Sequence, residues 1–325
     1  MLDALGREVT RNGAIITPTV TPTVAEQQQA ETRAIPAWRQ TIMDYVALTK
    51  PKIISLLLVT TWGAMMVAQR GFPSPWLVLV TLLGGTLASG GAGAVNHFID
   101  RDIDTQMGRT KGRPVVTGRI APWQALVFGI VLEALSFILL TVAVNLLTAV
   151  LALGGYLFYV VIYTLWLKRS TPQNIVIGGA AGAFPPLVGW AAVTDHISAG
   201  ALVLFAIVFF WTPPHFWALA LLIRGDYARA KVPMMPVVRG VEETRKQIMI
   251  YSVIMVATTL LLLATGTSGP IYLVLALALG AKFLWDALQL LREQTQQAAR
   301  RLYLYSLLYL ALLFLAMVID HAFLG

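Results

Sequence analysis

Long apolar runs separated by short polar segments make up most of this chain. An α-helix needs about 20 apolar residues to cross the hydrocarbon core of a bilayer. The first such run begins at the Lys50-Pro51-Lys52 boundary and continues to about Ala68, and the shorter run Trp38–Leu48 ahead of it predicts an interfacial helix. Eight further runs have the required length: residues 76–98, 122–146, 148–167, 173–193, 199–223, 247–266, 270–290 and 302–322. The pattern predicts an all-α, polytopic membrane protein with nine transmembrane helices.

Composition agrees with this fold class and excludes several others. Of the 325 residues, 57% are hydrophobic and only 12% are charged, and the mean hydropathy is +0.72. The chain has no cysteine, which excludes disulfides, thiolate catalysis and cysteine-based metal sites. Residues 1–36 lack the apolar core of a signal peptide and are rich in polar residues, so they predict a disordered tail. The membrane domain is then residues 37–325.

Basic residues predict the orientation of the chain in the membrane. If the N-terminus is cytoplasmic, 22 of the 24 lysines and arginines lie on the cytoplasmic side, and only Arg70 and the intrahelical Lys282 do not. The C-terminus then lies on the opposite face of the cell (inner or plasma) membrane. The net charge of +8 therefore reflects topology. No nucleic-acid partner is expected, because aromatic and basic residues do not alternate as in a nucleic-acid groove.

The most concentrated polar segment follows the second apolar run. Asn96, Asp100 and Asp104 recur every four residues, which places them on one face of a helix at a hydrated membrane mouth. Carboxylates at this spacing repel one another unless a cation lies between them. Mg²⁺ prefers oxygen ligands and is commonly bound by one or two carboxylates together with substrate phosphates. We therefore predict a Mg²⁺ site here, and the alternative is a solvated, charged loop.

A second polar loop, after the sixth apolar run, supplies a further carboxylate at Asp226. Similar strings follow the two loops, Pro114–Gly118 and Pro236–Gly240, so a parallel duplication would place the loops side by side. The alternative is a chance match. If the loops share one site, Asp226 joins the metal ligands, and phosphate would be bound by the nearby cations and a phenol: Arg109, Lys111, Arg113, Tyr227, Arg229 and Lys231. The site would then bind a diphosphate whose organic part enters the membrane.

Two histidines extend the candidate site into the membrane. His215 follows Pro213-Pro214 inside the sixth run, where the prolines free backbone carbonyls. An ionisable group within the membrane is a functional candidate by default, so His215 is a predicted catalytic residue, with capping of those carbonyls as the alternative. His97 faces the motif side and is a predicted substrate contact or a partner that orients a carboxylate.

Small residues flank both sides of this site. Asn174 precedes a glycine-rich stretch near the cytoplasmic face and is a further predicted substrate contact. Gly85, Ser89 and Gly93 lie on the Asn96 face of the second run. They fit either close packing between helices or a groove for an isoprenoid chain.

At these residues the chain resembles the heme-prenylating members of the UbiA superfamily of intramembrane prenyltransferases. The resemblance covers about residues 44–240. The motifs that carry it are Asn96-x3-Asp100-x3-Asp104 with Asp102, Met107, Arg109-Thr110 and Arg113-Pro114, then Lys50-Pro51, Asn174–Gly179, Pro213–Leu219, Asp226-Tyr227 and Pro233–Val238. One departure is Ala230, which stands where most of the superfamily has a second carboxylate in the second motif.

The resemblance implies nine helices around a central cavity, Mg²⁺ as cofactor, and farnesyl diphosphate and heme B as substrates. The implied product is a hydroxyethylfarnesyl heme, heme O. Besides the lipid bilayer, the implied partners are a heme A synthase or assembly proteins of heme-copper oxidases. One alternative is a related enzyme that prenylates another aromatic or chlorin ring. A cation or solute transporter is the other alternative, but it should carry ionisable groups on both halves of its pathway, and here the outer face has almost none.

The predicted topology can be tested with single cysteines, because the chain has none of its own. Cysteines introduced after Arg113 and after Lys231 should react with a membrane-impermeant maleimide from the cytoplasmic side. A cysteine at Gly325 should react from the opposite side. Labelling of the two loops from different sides of the membrane would contradict a shared site.

Overall fold

The computed structural model describes residues 36–324, all of whose regular elements are helices. In chain order they are α1 (Ala37–Thr49), α2 (Pro51–Gln69), α3 (Pro75–Ile99), α4 (Arg101–Gln106), α5 (Pro122–Ala143), α6 (Leu146–Ser170), α7 (Asn174–Thr194), α8 (Ala199–Leu222), α9 (Arg224–Arg229), α10 (Met235–Val238), α11 (Gly240–Ala264), α12 (Pro270–Glu293) and α13 (Gln296–Leu324). The tail predicted for residues 1–36 lies outside the described residues except for Pro36.

Nine of the described helices are long and apolar enough to cross a membrane, which confirms the predicted fold class. They are α2, α3, α5–α8 and α11–α13. Two of them begin earlier than the apolar pattern predicts, α11 at Gly240 and α13 at Gln296. Their first turns are charged or polar, so hydropathy does not count them as part of the span. In α11 an ion pair between Lys246 and Glu242, 2.8 Å apart, supports the extra turns.

The chain divides into two units, residues 1–42 and 43–325. In the described part, the first unit consists of Pro36 and the N-terminal turns of α1, where the Gln40 N–H donates to the Pro36 carbonyl at 3.1 Å. The second unit contains the rest of α1 and all the other helices. The domain boundary expected after residue 36 stays a prediction.

Helix α6 contains a segment that the apolar pattern did not predict. Phe158–Leu167 forms a π-helix, in which hydrogen bonds link residues five apart. A side-chain bond spans the same interval, because the Thr164 hydroxyl donates to the Tyr159 carbonyl at 2.8 Å. Side chains five apart therefore lie near one face of this segment, whereas in an α-helix they would diverge.

Glycines let α3 and α5 touch at the level of their backbones. A Cβ on Gly91 would lie 2.6 Å from the Gly129 carbonyl oxygen, and a Cβ on Gly129 would lie 2.7 Å from that of Gly91. Gly93 is equally tight, since a Cβ there would lie 2.9 Å from the Leu48 carbonyl oxygen, whereas Gly85 has ordinary space. Of the two explanations for the small residues on the Asn96 face, close packing thus accounts for Gly93. The close approach fixes α3, which carries the first polar motif.

A methyl group at this contact should destabilise the protein. Gly91→Ala is expected to cost about 1–3 kcal/mol, because the added Cβ meets backbone that cannot rotate away. Gly182→Ala is the matched control, since nothing lies within 4 Å of a Cβ at that helical position. Thermal unfolding in one detergent should show a lower midpoint for the first variant only. Equal midpoints would contradict the backbone contact.

Candidate active site

The first polar motif lies where α3 gives way to α4. Asp100 separates the two helices, with φ −85° and ψ 5°, so the three-residue row is not on one uninterrupted helix as predicted. Backbone hydrogen bonds still continue, from the Asp100 N–H to Asn96 at 2.9 Å and from the Asp104 N–H to Asp100 at 2.8 Å. The Asn96 side chain donates to Asp100 Oδ2 at 2.7 Å. The spacing of four thus brings Asn96 and Asp100 into contact.

These carboxylates are buried, which corrects the expectation of a hydrated mouth. Asp100 is 0% and Asp104 2% exposed. Each has a cationic partner: Lys168 forms an ion pair with Asp100, and Arg113 Nη1 lies 2.5 Å from Asp104 Oδ2. A buried carboxylate is costly unless it is paired and hydrogen-bonded, so these cations make the burial possible. From the sequence, Lys168 is only one of the 22 basic residues that predict the topology.

A second lysine and the π-helix complete the cluster around Asn96. Lys50 Nζ donates to Asn96 Oδ1 at 2.5 Å and to the Tyr159 hydroxyl at 3.3 Å. The Asn96 amide also donates to Thr164 Oγ1 at 3.2 Å. Burial and the nearby charge of Arg113 hold the pKa of Lys50 well below its usual range. Tyr159 and Thr164 both reach this cluster because they are five residues apart in the π segment.

The second loop lies against the first, as the shared-site hypothesis requires. A Cβ on Gly108 would lie 3.6 Å from Asp226 Oδ2. Tyr227 is buried, which raises its pKa, while the charges of Arg109 and Arg113 act in the opposite direction. Residues of the two loops thus lie side by side at one end of the helices. The structure therefore brings both loops into one site.

The other predicted cations divide into paired and unpaired groups. Arg229 forms an ion pair with Asp226 and its side chain is 62% exposed. Arg109, Lys111 and Lys231 are exposed, and within the described chain none of them forms an ion pair. Unpaired cations beside buried carboxylates leave positive charge available for a polyanionic ligand.

Two of the predicted substrate-contacting residues each have a buried polar atom that forms no hydrogen bond within the described residues. His97 is 3% exposed, and its Nδ1 has no partner within the described residues. Asn174 is 0% exposed; its amide donates to the Thr171 carbonyl at 2.7 Å, but its Oδ1 is unpartnered there. Such buried atoms are costly, so both residues remain candidates for ligand contact.

His215 lies between aromatic rings from α8 and α13. Its ring stacks on Trp211 at 4.3 Å and on Tyr303 at 5.0 Å between centroids. Its Nδ1 lies 2.7 Å from Ser306 Oγ, and that hydroxyl donates its own hydrogen to the Tyr303 carbonyl at 2.6 Å. Ser306 must therefore accept from Nδ1–H, which leaves Nε2 with the lone pair. This hydrogen bond gives no support to the carbonyl-capping alternative.

The donor atoms fit a Mg²⁺ site that is completed by the phosphate oxygens of the substrate. Within the described residues, no three His, Asp or Glu side chains converge as a complete metal site. However, Asp100 Oδ1 is buried without a hydrogen bond, and the Arg169 guanidinium is 3.6 Å away. Hard carboxylate and amide oxygens supplemented by phosphate are the usual surroundings of Mg²⁺ in such sites.

Comparison with known proteins identifies the family. Residues 56–318 match the model of the UbiA prenyltransferase family. A protoheme IX farnesyltransferase of Gloeobacter violaceus is 55% identical over 293 residues, which cover 90% of this chain and 96% of that relative. The chain belongs to the UbiA prenyltransferase family. The predicted membership is thus confirmed, and with it a prenyltransferase fold embedded in the membrane.

Other UbiA relatives are longer than this chain. A protoheme IX farnesyltransferase of Chloroflexus aurantiacus is 57% identical over 296 residues, covering 91% of this chain and 50% of the relative. The one of Roseiflexus castenholzii is 53% identical over 300 residues, covering 92% and 56%. The chain therefore spans about half the length of these two relatives.

Solved UbiA structures share the fold at low sequence identity. A structure of digeranylgeranylglyceryl phosphate synthase superposes with a TM-score of 0.73 at 18% identity, covering 88% of this chain and 100% of that one. A UbiA homolog from Archaeoglobus fulgidus bound to GPP and Mg²⁺ gives 0.63 at 18% identity, covering 84% and 99%.

Burial separates the effects of two neighbouring aspartates. Asp104→Asn should cost about 3 kcal/mol, because Arg113, only 20% exposed, loses its counter-charge. Asp102→Asn should cost about 0–1 kcal/mol, because that carboxylate is 60% exposed, although Arg169 holds its pKa at about 2. Thermal unfolding at neutral pH compares the two variants. Indistinguishable midpoints would contradict a buried Asp104–Arg113 pair.

Proposed function

We propose that this protein transfers a farnesyl group from farnesyl diphosphate to a vinyl group of heme B, giving heme O. The observation that carries the proposal is the meeting of the two loops, where a Cβ on Gly108 would lie 3.6 Å from Asp226. Buried carboxylates and unpaired cations then surround one site suited to a diphosphate. Prenyl diphosphate chemistry is consistent with the UbiA family, and heme as acceptor is consistent with relatives named protoheme IX farnesyltransferase.

The cations of both loops would bind the diphosphate. Arg109, Lys111 and Lys231 have no carboxylate partner in the described chain, so they are free to bind phosphate oxygens. Arg113 and Arg229 pair with Asp104 and Asp226, and a guanidinium binds carboxylate and phosphate through the same paired N–H groups. As the carbon–oxygen bond of farnesyl diphosphate breaks, these groups would stabilise the charge of the leaving diphosphate. Tyr227 would help to order it.

Asn96, Asp100, Asp104 and Asp226 would hold Mg²⁺. The metal, when bound, would neutralise phosphate charge and so favour departure of the diphosphate. The unpartnered Asp100 Oδ1 supports this role. Because Ala230 adds no carboxylate to the second loop, the first loop would contribute most of the metal ligands.

The acceptor side would involve the histidines and Asn174. The terminal vinyl carbon of heme would form a bond to the farnesyl carbon, water would add to the other vinyl carbon, and one proton would leave. His215 carries its lone pair on Nε2, so it could accept a proton or contact the porphyrin. His97 and Asn174 would contact substrate through their unpartnered atoms.

The proposal includes the cellular setting. The protein would lie in the cell inner or plasma membrane with its N-terminus in the cytoplasm, as the distribution of basic residues indicates. Its product would pass to a heme A synthase or to assembly proteins of heme-copper oxidases.

Expression in a heme-producing host, followed by mass analysis of extracted hemes, tests the reaction. The wild type should accumulate hydroxyethylfarnesyl heme. Asp226→Asn should lower the yield at least 100-fold, whereas Asp102→Asn, on an exposed carboxylate, should stay within threefold. In purified membranes, EDTA should abolish turnover and Mg²⁺ should restore it. A prenylated chlorin or phenol in place of the heme product would support the alternative acceptor.

A second variant separates the two substrates. His215→Ala should weaken heme binding, followed by absorbance, much more than binding of a non-hydrolysable farnesyl diphosphate analogue. Ser306→Ala is the matched control, because it removes the hydroxyl that contacts Nδ1 and the Tyr303 carbonyl but leaves the imidazole in place. Equal loss of both ligands in His215→Ala would mean that the histidine only supports the packing of α8 on α13.

A further inference from the structure

A second basic pocket lies beside the active site but uses none of its residues. It is a cavity of about 260 Å³ between the ends of α8, α11, α12 and α13, and we call it the flank pocket. Its lining includes Arg224 and Arg245, apolar side chains of Leu222 and Leu290, and the polar Thr295. These helix ends are on the same membrane face as the two polar loops, because each span reverses the direction of the chain.

The two arginines have no anionic partner in the described chain. Arg224 is exposed and forms no ion pair there. Arg245 donates from Nη2 to the Gln294 carbonyl at 2.6 Å, while its Nε is buried and has no hydrogen-bond partner. The two acidic residues that precede Arg245 have other partners: Glu242 pairs with Lys246, and Glu243 accepts a hydrogen bond from Gln247. Two guanidinium groups that line one cavity and form no ion pair within the described residues favour an oxyanion that can bind both.

The other residues that line the pocket limit the kind of ligand that can carry this oxyanion. Leu221, Leu222 and Val241 are partly buried and Leu290 is buried, so one wall is apolar while the arginines form the other. A cavity of 260 Å³ is smaller than the roughly 300–1,000 Å³ of sites that enclose a whole organic ligand. It suits a small charged group at the membrane surface. Basic pockets between transmembrane helices commonly bind the headgroups of anionic lipids.

We propose that the flank pocket binds a phosphate group, which either an anionic phospholipid headgroup or free inorganic phosphate can supply. Arg224 begins α9, the short helix that also contains Asp226 and Tyr227. Arg245 belongs to α11, and Gln294 and Thr295 join α12 to α13. An anion bound by both arginines therefore ties the second loop to three transmembrane helices. Occupancy of the pocket stabilises the folded protein without taking part in the reaction.

The test uses purified full-length protein in nanodiscs and in detergent. Nanodiscs that contain phosphatidylglycerol should raise the melting temperature of the wild type above that in phosphatidylcholine nanodiscs. The rise should be at least halved in Arg224→Gln and in Arg245→Gln. Arg292→Gln, an exposed cation at the end of α12 that does not line the pocket, should keep the whole rise. Equal loss in Arg292→Gln would overturn the proposal, because the lipid effect would then be diffuse electrostatic attraction.

Two further experiments identify the source of the phosphate and keep the proposal testable if one variant does not fold. In detergent with added phosphatidylglycerol, millimolar inorganic phosphate should displace the lipid if free phosphate is the occupant, and should leave it bound if the headgroup is. Native mass spectrometry counts bound phosphatidylglycerol directly and should show at least a tenfold lower affinity in Arg224→Gln. Arg224 has no internal partner in the described chain, so this variant should fold even if Arg245→Gln does not. An unchanged affinity in a folded Arg224→Gln would refute the proposal.

Discussion

The burial of Asp100 is the constraint on which the site depends. Its side chain is 0% exposed, and an ionised carboxylate away from water costs several kcal/mol unless cations and hydrogen bonds compensate for the lost solvation. Lys168, at the end of α6, supplies the ion pair, and Asn96, one turn back in α3, supplies the hydrogen bond. Lys50, at the start of α2, then binds Asn96. Three helix ends must therefore meet at one point for this buried carboxylate to keep its ion pair and its hydrogen bond.

The π segment of α6 is the local geometry that lets this cluster close. Tyr159 reaches Lys50 and Thr164 reaches Asn96, although an α-helix would turn side chains five apart away from one another. The backbone contact between Gly91 and Gly129 holds α3 on α5 from the other side. Polar contacts with α6 on one side, and the close backbone contact with α5 on the other, thus fix the position of α3. Under the proposed function, this arrangement of contacts would serve the preorganised stabilisation of a leaving group.

Sequence could predict the nine spans because a segment in hydrocarbon must be apolar and must satisfy its own backbone hydrogen bonds. The spacing of Asn96, Asp100 and Asp104 likewise predicts the first half of the site, and the repeated strings predict that the loop with Asp226 lies beside it. The lysines were missed for a physical reason. A lysine at a membrane boundary has the same pattern whether it faces water, as topology requires, or turns inward, as Lys50 and Lys168 do. The contacts of Thr164 could not be predicted either, since no hydropathy period distinguishes a π segment from an α-helix.

The similarity between the two polar loops extends beyond the strings Pro114–Gly118 and Pro236–Gly240. The same spacing separates Asp104 from Asp226, Arg109 from Lys231, and Gly118 from Gly240. Both glycines also adopt a positive φ, of 76° and 86°, so the chain makes the same left-handed turn after each loop. A chance match of a short string would not carry a carboxylate, a cation and a backbone conformation in one register.

The same alignment also explains why the two loops contribute different numbers of polar residues to the site. At the same spacing, Asn96 and Asp100 correspond to Ala218 and Leu222, so the second loop has apolar side chains where the first has its most buried polar ones. Ala218 is 0% exposed and packs in the hydrophobic core, where a carboxylate would be costly without a cationic partner. Asp226 is thus the part of the second loop that could keep a charge at the membrane surface. The first loop has the network of cations that burial demands, and the second contributes one partly buried carboxylate and exposed cations that include Arg224, Arg229 and Lys231. Under the proposed function, this asymmetry assigns most of the metal ligands to the junction of α3 and α4 and leaves α9 to complete the site around the diphosphate.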